Sequence, residues 1–270
     1  MSKIDWDSPE VAERYDKNSD HQFNKGVALM AMMKLKAGDA VLDIGCGTGR
    51  QALNVAGMIG PSGRLEGIDP SSFRLKLAGD KARAVSLGNV HFSVGRAEDL
   101  SQYSDCSFDH AYFCSSFHWV DDKPAALKEV RRVLKSGGNV GMTTLDRNST
   151  FTTRDIVVKA FARQNYPVPA GLFDDGGMKR VTQAELETLF TEAGFRDIHI
   201  EPRATNRRHR SMEEVFAFQS SNRAGSYLKD VPEPIKLAVR RDIEEELENR
   251  KTARGIELPS FTLFATAVKP

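Results

Sequence analysis

The chain has 270 residues, 40% of them hydrophobic and 28% charged, with a formal net charge of +1, enough for one large domain or one domain with a cap. So balanced a charge gives no overall pull towards nucleic acid or an anionic membrane, no apolar run approaches the roughly 18 residues of a membrane span, and Met1–Asp7 carries no apolar leader segment. Three cysteines, Cys46, Cys106 and Cys114, show neither C-x-x-C spacing nor nearby histidine clusters, which points to a reducing, cytoplasmic setting with no zinc site and no metal.

Ser8-Pro9-Glu10 reads as an N-cap, a proline at the first helical position and a first-turn acid, opening a short helix with Val11 and Tyr15 one turn apart. A second helix runs through Phe23, Val27, Met30 and Lys34. Both precede the first strand, Ala40 to Ile44, and so can lie over a ligand as a lid. A glycine turn follows, then a helix on Ala52, Val55, Ala56 and Ile59 that Gly60-Pro61-Ser62-Gly63 must end. Arg64 to Asp69 is a second strand. Ser71 can cap a helix carrying Phe73, Leu77, Ala78, Lys81 and Val85, and Val90, Phe92 and Val94 alternate as a third strand. Phe108 to Phe113 is a fourth. Pro124, Leu127, Val130 and Leu134 mark a helix closed by Ser136-Gly137-Gly138, and Asn139 to Leu145 is a fifth strand. Strands and helices that alternate in this way need crossovers, and crossovers make a parallel sheet with helices on both faces.

The second half is less regular. Phe151 to Gln164 reads as a helix, and residues 166–177 as a Pro/Gly/Asp-rich loop. Thr182-Gln183-Ala184-Glu185 is a capping box for a helix with Leu186, Leu189 and Phe190, and Phe195 to Glu201 is a sixth strand. Ser211-Met212-Glu213-Glu214 is a second capping box. Pro232 to Arg254 reads as a long charged helix with Ile235, Val239, Ile243 and Leu247 in a stripe, and Ser260 to Val268 as the last strand. The expected fold is therefore α/β: a doubly wound, mostly parallel seven-stranded sheet, Rossmann-like, with an N-terminal helical lid and an inserted helical cap. Residues 1–145 would hold the lid and core and 146–270 the rest of the sheet, with the insertion at about 203–257, all as one catalytic domain.

The glycine turn decides between two cofactors. A dinucleotide fold needs G-x-G-x-x-G, but here Asp43 precedes Gly45-x-Gly47-x-Gly49, and Arg50 stands where the third dinucleotide glycine would fall. An acid two residues before the first glycine would repel a pyrophosphate and suit a ligand bearing an ammonium or sulfonium. S-adenosyl-L-methionine meets that requirement. The bland alternative is that the glycines serve only a tight strand-to-helix turn.

Val41-Leu42-Asp43-Ile44-Gly45-Cys46-Gly47-Thr48-Gly49 resembles the first motif of the class I S-adenosylmethionine-dependent methyltransferases, of the ubiquinone/menaquinone and trans-aconitate group. Gly67-Ile68-Asp69-Pro70-Ser71, Gly95-Arg96-Ala97-Glu98-Asp99-Leu100, and Phe108-Asp109-His110-Ala111 with Phe113-Cys114-Ser115-Ser116 follow in that family's order. The resemblance covers residues 8 to 145 closely and the remainder weakly. It implies transfer of a methyl group to a small molecule on oxygen, carbon or sulfur, by in-line displacement that asks the protein mainly for alignment and a dry site.

The same resemblance assigns roles. Asp69 would accept the ribose hydroxyls, or else cap the next helix, and Pro70 follows it. Arg96, Ala97 and Glu98 lie in the loop that meets adenine; relatives often have an acid where Arg96 stands, so the contact falls to backbone N–H, Glu98 or Asp99. Gly45 and Gly47 let backbone approach the methionine end, Cys46 rides in the turn as a small packed residue, Cys114 belongs to the fourth motif, and Tyr15 resembles a lid tyrosine beside the cofactor. His118, in Phe117-His118-Trp119 at the sheet's carboxyl edge, is the candidate general base, with a hydrogen-bonded structural histidine as its alternative. Arg203, Arg207, Arg208 and Arg210 form a basic run, either a solvated face or a contact for an acidic substrate. The Ile235 stripe fits a cap helix or a homodimer seam. The competing functions are a non-catalytic S-adenosylmethionine-binding regulator and a nicotinamide oxidoreductase; nucleic acid is not an expected partner.

Overall fold

The computed structural model describes residues 7–149, 152–169, 178–215 and 231–270. Two helices, α1 (Pro9–Asn18) and α2 (Asp20–Met33), lead into β1 (Ala40–Ile44), after which α3 (Arg50–Ile59), β2 (Arg64–Asp69), α4 (Ser72–Ala84), β3 (Val90–Val94) and β4 (Phe108–Cys114) follow. A single 3-10 turn, Phe117–Trp119, separates β4 from α5 (Lys123–Val133), and β5 (Leu134–Leu145) comes next. Beyond it lie α6 (Thr152–Arg163), α7 (Gln183–Glu192), β6 (Arg196–His209), α8 (Glu233–Glu248), the two-residue β7 (Lys251–Thr252) and β8 (Gly255–Val268).

The sheet runs β3-β2-β1-β4-β5-β8-β6, with β7 paired to β8 alone. The ladders β1·β2, β1·β4, β2·β3 and β4·β5 are parallel. The seven-stranded, mostly parallel sheet is the one the sequence predicts. The chain winds outward from β1 to β3 and then returns to place β4 on the other side of β1, so the winding direction reverses between β1 and β4. In open α/β sheets ligands bind outside the carboxyl ends of strands at such a reversal.

Contacts divide the chain into two compact units: residues 1–147, 179–202 and 263–270, and residues 148–178 and 203–262. In the first unit the strands separate two apolar layers. Leu42, Ile44, Ala111 and Phe113 pack with Leu127 and Val130 of α5 and Leu186 and Phe190 of α7. The alternate residues, Val41 and Tyr112, pack with Leu29, Met30 and Met33 of α2 and Val55 and Ile59 of α3. In the second unit Ile156, Val157 and Phe161 of α6 pack with Val239, Ile243 and Leu247 of α8.

Several predicted details shift. The α2 face is Leu29, Met30 and Met33, and Val27 is exposed; in α4 it is Leu75, Ala78 and Ala82, with Phe73 and Val85 exposed. Neither helix has a sharply segregated apolar face, so periodicity misplaces the buried stripe. Strand β5 begins at Leu134 rather than after the glycines, because Gly137 N donates to Lys269 O and Lys269 N to Gly138 O, each at 2.8 Å. The register slips between Phe108 and His110 to absorb the extra residues. The long helix stops at Glu248: Thr252 accepts from Arg254 N and donates to Gly255 O, which makes a reverse turn of the predicted last helical residues. Of the α8 stripe, Val239, Ile243 and Leu247 are buried in their own unit's core, while Arg240, Arg241, Glu245 and Glu248 on the other faces are exposed, as a solvent-facing cap helix requires. Of the second capping box one half is present, with Ser211 Oγ accepting from Glu214 N, while the Glu214 carboxylate accepts from Arg210 N instead of Ser211 N. Of the basic run, Arg208 pairs with Glu257 at 3.3 Å, and the side chain of Arg207 lies outside the described residues.

Gly49 caps α3 with φ of +78°, and a Cβ there would stand 2.7 Å from Ala78 Cβ. Gly49→Ala is expected to destabilise the fold by about 1–3 kcal/mol through the left-handed backbone alone. Urea unfolding followed by circular dichroism should show a lower midpoint at unchanged slope.

Candidate active site

The turn after β1 is clasped from both neighbouring strands. Gly45 N and Cys46 N both donate to Ile68 O at the end of β2, at 2.8 and 2.9 Å. From the β4 side, Ser116 Oγ donates to Ile44 O at 2.5 Å, and a Cβ on Gly45 would lie 2.4 Å from Ser116 Cβ. Gly45 has φ of +77°, so glycine is required there both by the backbone and by the neighbour.

Two carboxylates flank the turn. Asp43 is 1% exposed; its Oδ2 accepts from the Tyr112 hydroxyl at 2.6 Å, and its Oδ1 has no partner among the described residues. Burial pushes its carboxyl up to about 7 against the pull of the Tyr112 hydrogen bond, and the nearby Asp69 adds to the rise. Asp69, also buried, accepts from Gly47 N and Ser71 N, both at 2.9 Å. Burial raises its carboxyl too, opposed by Arg74 and those two N–H groups. Asp69 thus holds the glycine turn and the approach to α4 through backbone N–H groups, and its oxygens keep further lone pairs. An orphaned buried carboxylate oxygen and a second acid across a glycine turn form a donor set that fits a cationic ligand with hydroxyl groups.

Helix α1 is fastened over this turn. Asp16 accepts from Thr48 Oγ1 at 2.6 Å and forms an ion pair with Lys81 Nζ, which also donates to Thr48 O at 2.9 Å. The adjacent Tyr15 brings its ring within 3.6 Å of the place a Cβ on Gly47 would occupy, under the Arg74 guanidinium at 4.7 Å. The lid residue and the glycine turn are thus in one place.

The loop after β3 is occupied with its own architecture. Glu98 Oε1 accepts from Asp121 N and Asp122 N at 2.8 and 3.3 Å, Asp99 Oδ1 from Ser101 N at 3.1 Å, and Arg96 donates to Asp121 at 3.0 Å. Ala97 is buried and Pro70 exposed. At the end of β4, Cys114 Sγ donates to Gln22 O of α2 at 3.5 Å, and burial pushes its thiol up to about 12; the Cys46 thiol is raised for the same reason. Neither sulfur is a thiolate at neutral pH.

His118 is 5% exposed and its Nδ1 has no hydrogen-bond partner among the described residues. Burial first, then the charges of Lys25, Lys123 and Arg180, bring its imidazole down to about 3. These surroundings favour the neutral imidazole over the imidazolium. Residue-type reasoning passed over Tyr112, Lys25, Lys123 and Arg180. Tyr112 could have been found from the strand order, which sets it beside Asp43 in the β1·β4 register; the cations converge from three separate segments. Among the described residues no group of three His, Cys, Asp or Glu is placed to hold a metal.

Residues 41–138 match a family described as a methyltransferase domain. The demethylmenaquinone methyltransferase of Geobacillus kaustophilus is 30% identical over 184 residues, covering 64% of this chain and 78% of that protein. That of Bacillus cytotoxicus is 29% identical over 212 residues, covering 71% and 86%. Among solved structures, the YcgJ protein of Bacillus subtilis aligns with a TM-score of 0.62 at 19% identity, covering 91% of this chain and 98% of its own. Phosphoethanolamine N-methyltransferase 2 of Haemonchus contortus, in complex with S-adenosyl-L-methionine, also gives 0.62 at 19% identity, covering 99% and 58%.

Because Asp43 is ionised less readily folded than unfolded, its contribution to stability is full below the unfolded carboxylate range near 4 and is lost as pH rises through about 7. Asp43→Asn removes that loss. Its stability relative to the parent chain should rise between pH 5 and 7, on the order of 1 kcal/mol per pH unit, read by calorimetric melting; a pH-independent difference would contradict the buried, protonated Asp43.

Proposed function

The chain belongs to the class I S-adenosylmethionine-dependent methyltransferases and carries methyl from that cofactor to a small molecule; we propose which residues hold the donor and in what state the acceptor meets it. Bound S-adenosyl-L-methionine supplies a methyl carbon already activated by its sulfonium. The observation that carries the assignment is the pair of buried carboxylates, Asp43 and Asp69, on either side of the glycine turn. Asp43, with Tyr112 on one oxygen and the other unpartnered, faces the cationic methionine end. Asp69, oriented by Gly47 N and Ser71 N, takes the ribose hydroxyls on its remaining lone pairs.

Gly45, Cys46 and Gly47 offer backbone to the methionine portion, and Tyr15 covers it from α1. With Glu98 and Asp99 committed to backbone N–H groups, the adenine contact falls to the main chain around Ala97, flanked by Pro70 and Arg96. Cys114 packs at the wall towards α2 as a neutral thiol. His118 receives a hydrogen bond on Nδ1 and orients the acceptor rather than removing its proton, because the surrounding cations oppose an imidazolium. The same cations favour an acceptor that arrives ionised. No helix among the described residues is long and apolar enough to cross a membrane, and the three cysteines are free thiols, in keeping with work in the cytoplasm.

Asp69→Ala should weaken S-adenosylhomocysteine binding by about 1–3 kcal/mol, the scale for hydrogen bonds to a charged group. Isothermal titration calorimetry giving unchanged affinity would take Asp69 out of the ribose role. His118→Ala should lower turnover and leave that affinity intact, with no loss of an ionisation between pH 5 and 8 from the pH–rate profile. A limb that vanishes in the variant would restore His118 as the base.

A further inference from the structure

On the β4/β5 side of the carboxyl edge, away from the two acids, lies a recess of about 520 Å³ whose charged lining is Lys123, Arg147, Lys179 and Arg180 against Asp121 and Glu185. These residues come from the start of α5, the chain just past β5 and the approach to α7. Four basic and two acidic side chains make the recess positive whatever the pairing. The acids already have partners in the lining: Asp121 pairs with Lys179 at 3.0 Å and Glu185 with Arg147.

Lys123 and Arg180 are each more than nine-tenths buried. The Lys123 ammonium donates to Val120 O at 2.9 Å and lies 5.2 Å from the centre of the Phe117 ring; among the described residues no carboxylate stands at ion-pair distance from it, and Asp121 and Glu98 act on it only through their fields. An ammonium has three protons to donate, and burying one beside a ring and a single carbonyl is costly unless something anionic completes its shell. Burial lowers it to about 8, which marks the same shortfall. The recess touches the candidate site directly: Lys179 N donates to His118 O at 2.7 Å, and His118 carries a buried, unpartnered Nδ1. Acidic donor residues and a basic recess thus occupy neighbouring stretches of one sheet edge.

We infer that this recess binds the anionic group of the methyl acceptor, a carboxylate or a phosphate, through Lys123 and Arg180 with Arg147 and Lys179 at its rim. The assignment rests on the methyl-transfer reading for its choice of ligand. Arginine and lysine together give both bidentate and point-charge recognition of an oxyanion. The acceptor is then a small anion drawn towards a cationic donor, in place of a neutral, wholly apolar molecule.

The test titrates the full-length protein, saturated with S-adenosylhomocysteine, with succinate in one series and inorganic phosphate in another, against chloride at matched ionic strength. Saturable binding of either anion above the chloride control supports the recess, and the tighter of the two identifies the oxyanion. Lys123→Met should weaken that binding about tenfold or more, the scale of one charged hydrogen bond, with S-adenosylhomocysteine affinity unchanged. Lys179→Glu provides a surface variant that spares the core, since that side chain is 55% exposed, and it too should weaken the anion. Absence of anion binding while S-adenosylhomocysteine still binds, or anion affinity in both variants equal to that of the parent chain, overturns the proposal. Failure of the parent chain to bind S-adenosylhomocysteine would instead overturn the donor site on which it rests.

Discussion

A parallel sheet whose first strand lies near its middle must reverse its winding beside that strand, and the reversal between β1 and β4 leaves their carboxyl ends without a covering crossover. The rest of the site follows from how the chain leaves those two ends. β1 exits through Gly45 at φ +77° and β4 through Ser115 at φ +58°, each turning sharply enough for the backbone to stay at the edge. Ile68 O from β2 and Ser116 Oγ from β4 then hold the first turn between them. A substitution in any of the three strand ends therefore disturbs the same backbone.

Charge is sorted along that edge. On the β1/β2 side stand Asp43 and Asp69, two acids whose burial makes both reluctant to ionise without a cation nearby. Around His118 stand Lys25, Lys123 and Arg180, whose charges add to burial in disfavouring its imidazolium. On the reading proposed above, a cationic donor would relieve the first cluster and an anionic acceptor the second. Methyl transfer would then discharge the sulfonium while the acceptor's anionic group stays anchored, and alignment would be the protein's main contribution.

The N-terminal helix is part of this arrangement through one acid. Asp16 links α1 to Thr48 in the turn and to Lys81 on α4, while Arg50 at the start of α3 donates to Ser19 Oγ and pairs with Asp20. These contacts are partly exposed and individually modest. Their value lies in fixing where Tyr15 sits.

Local sequence determined much of this molecule. The caps at Ser8, Ser71 and Thr182, the alternation of strand and helix, and the Asp43-x-Gly45-x-Gly47-x-Gly49 spacing all depend on neighbours within a few residues, so elements and donor turn were legible with no structure. Periodicity misplaced the α2 and α4 faces because it measures apolarity, not what lies opposite. The start of β5 depended on Lys269 and the fate of the α8 stripe on α6, partners more than 70 residues away in the chain. Only the folded chain decided the protonation of His118 and Asp43, since a histidine or an aspartate carries no record of its burial. The basic recess was equally invisible, because Lys123, Arg147 and Arg180 are separated in sequence and become one surface only where β4, β5 and α7 meet.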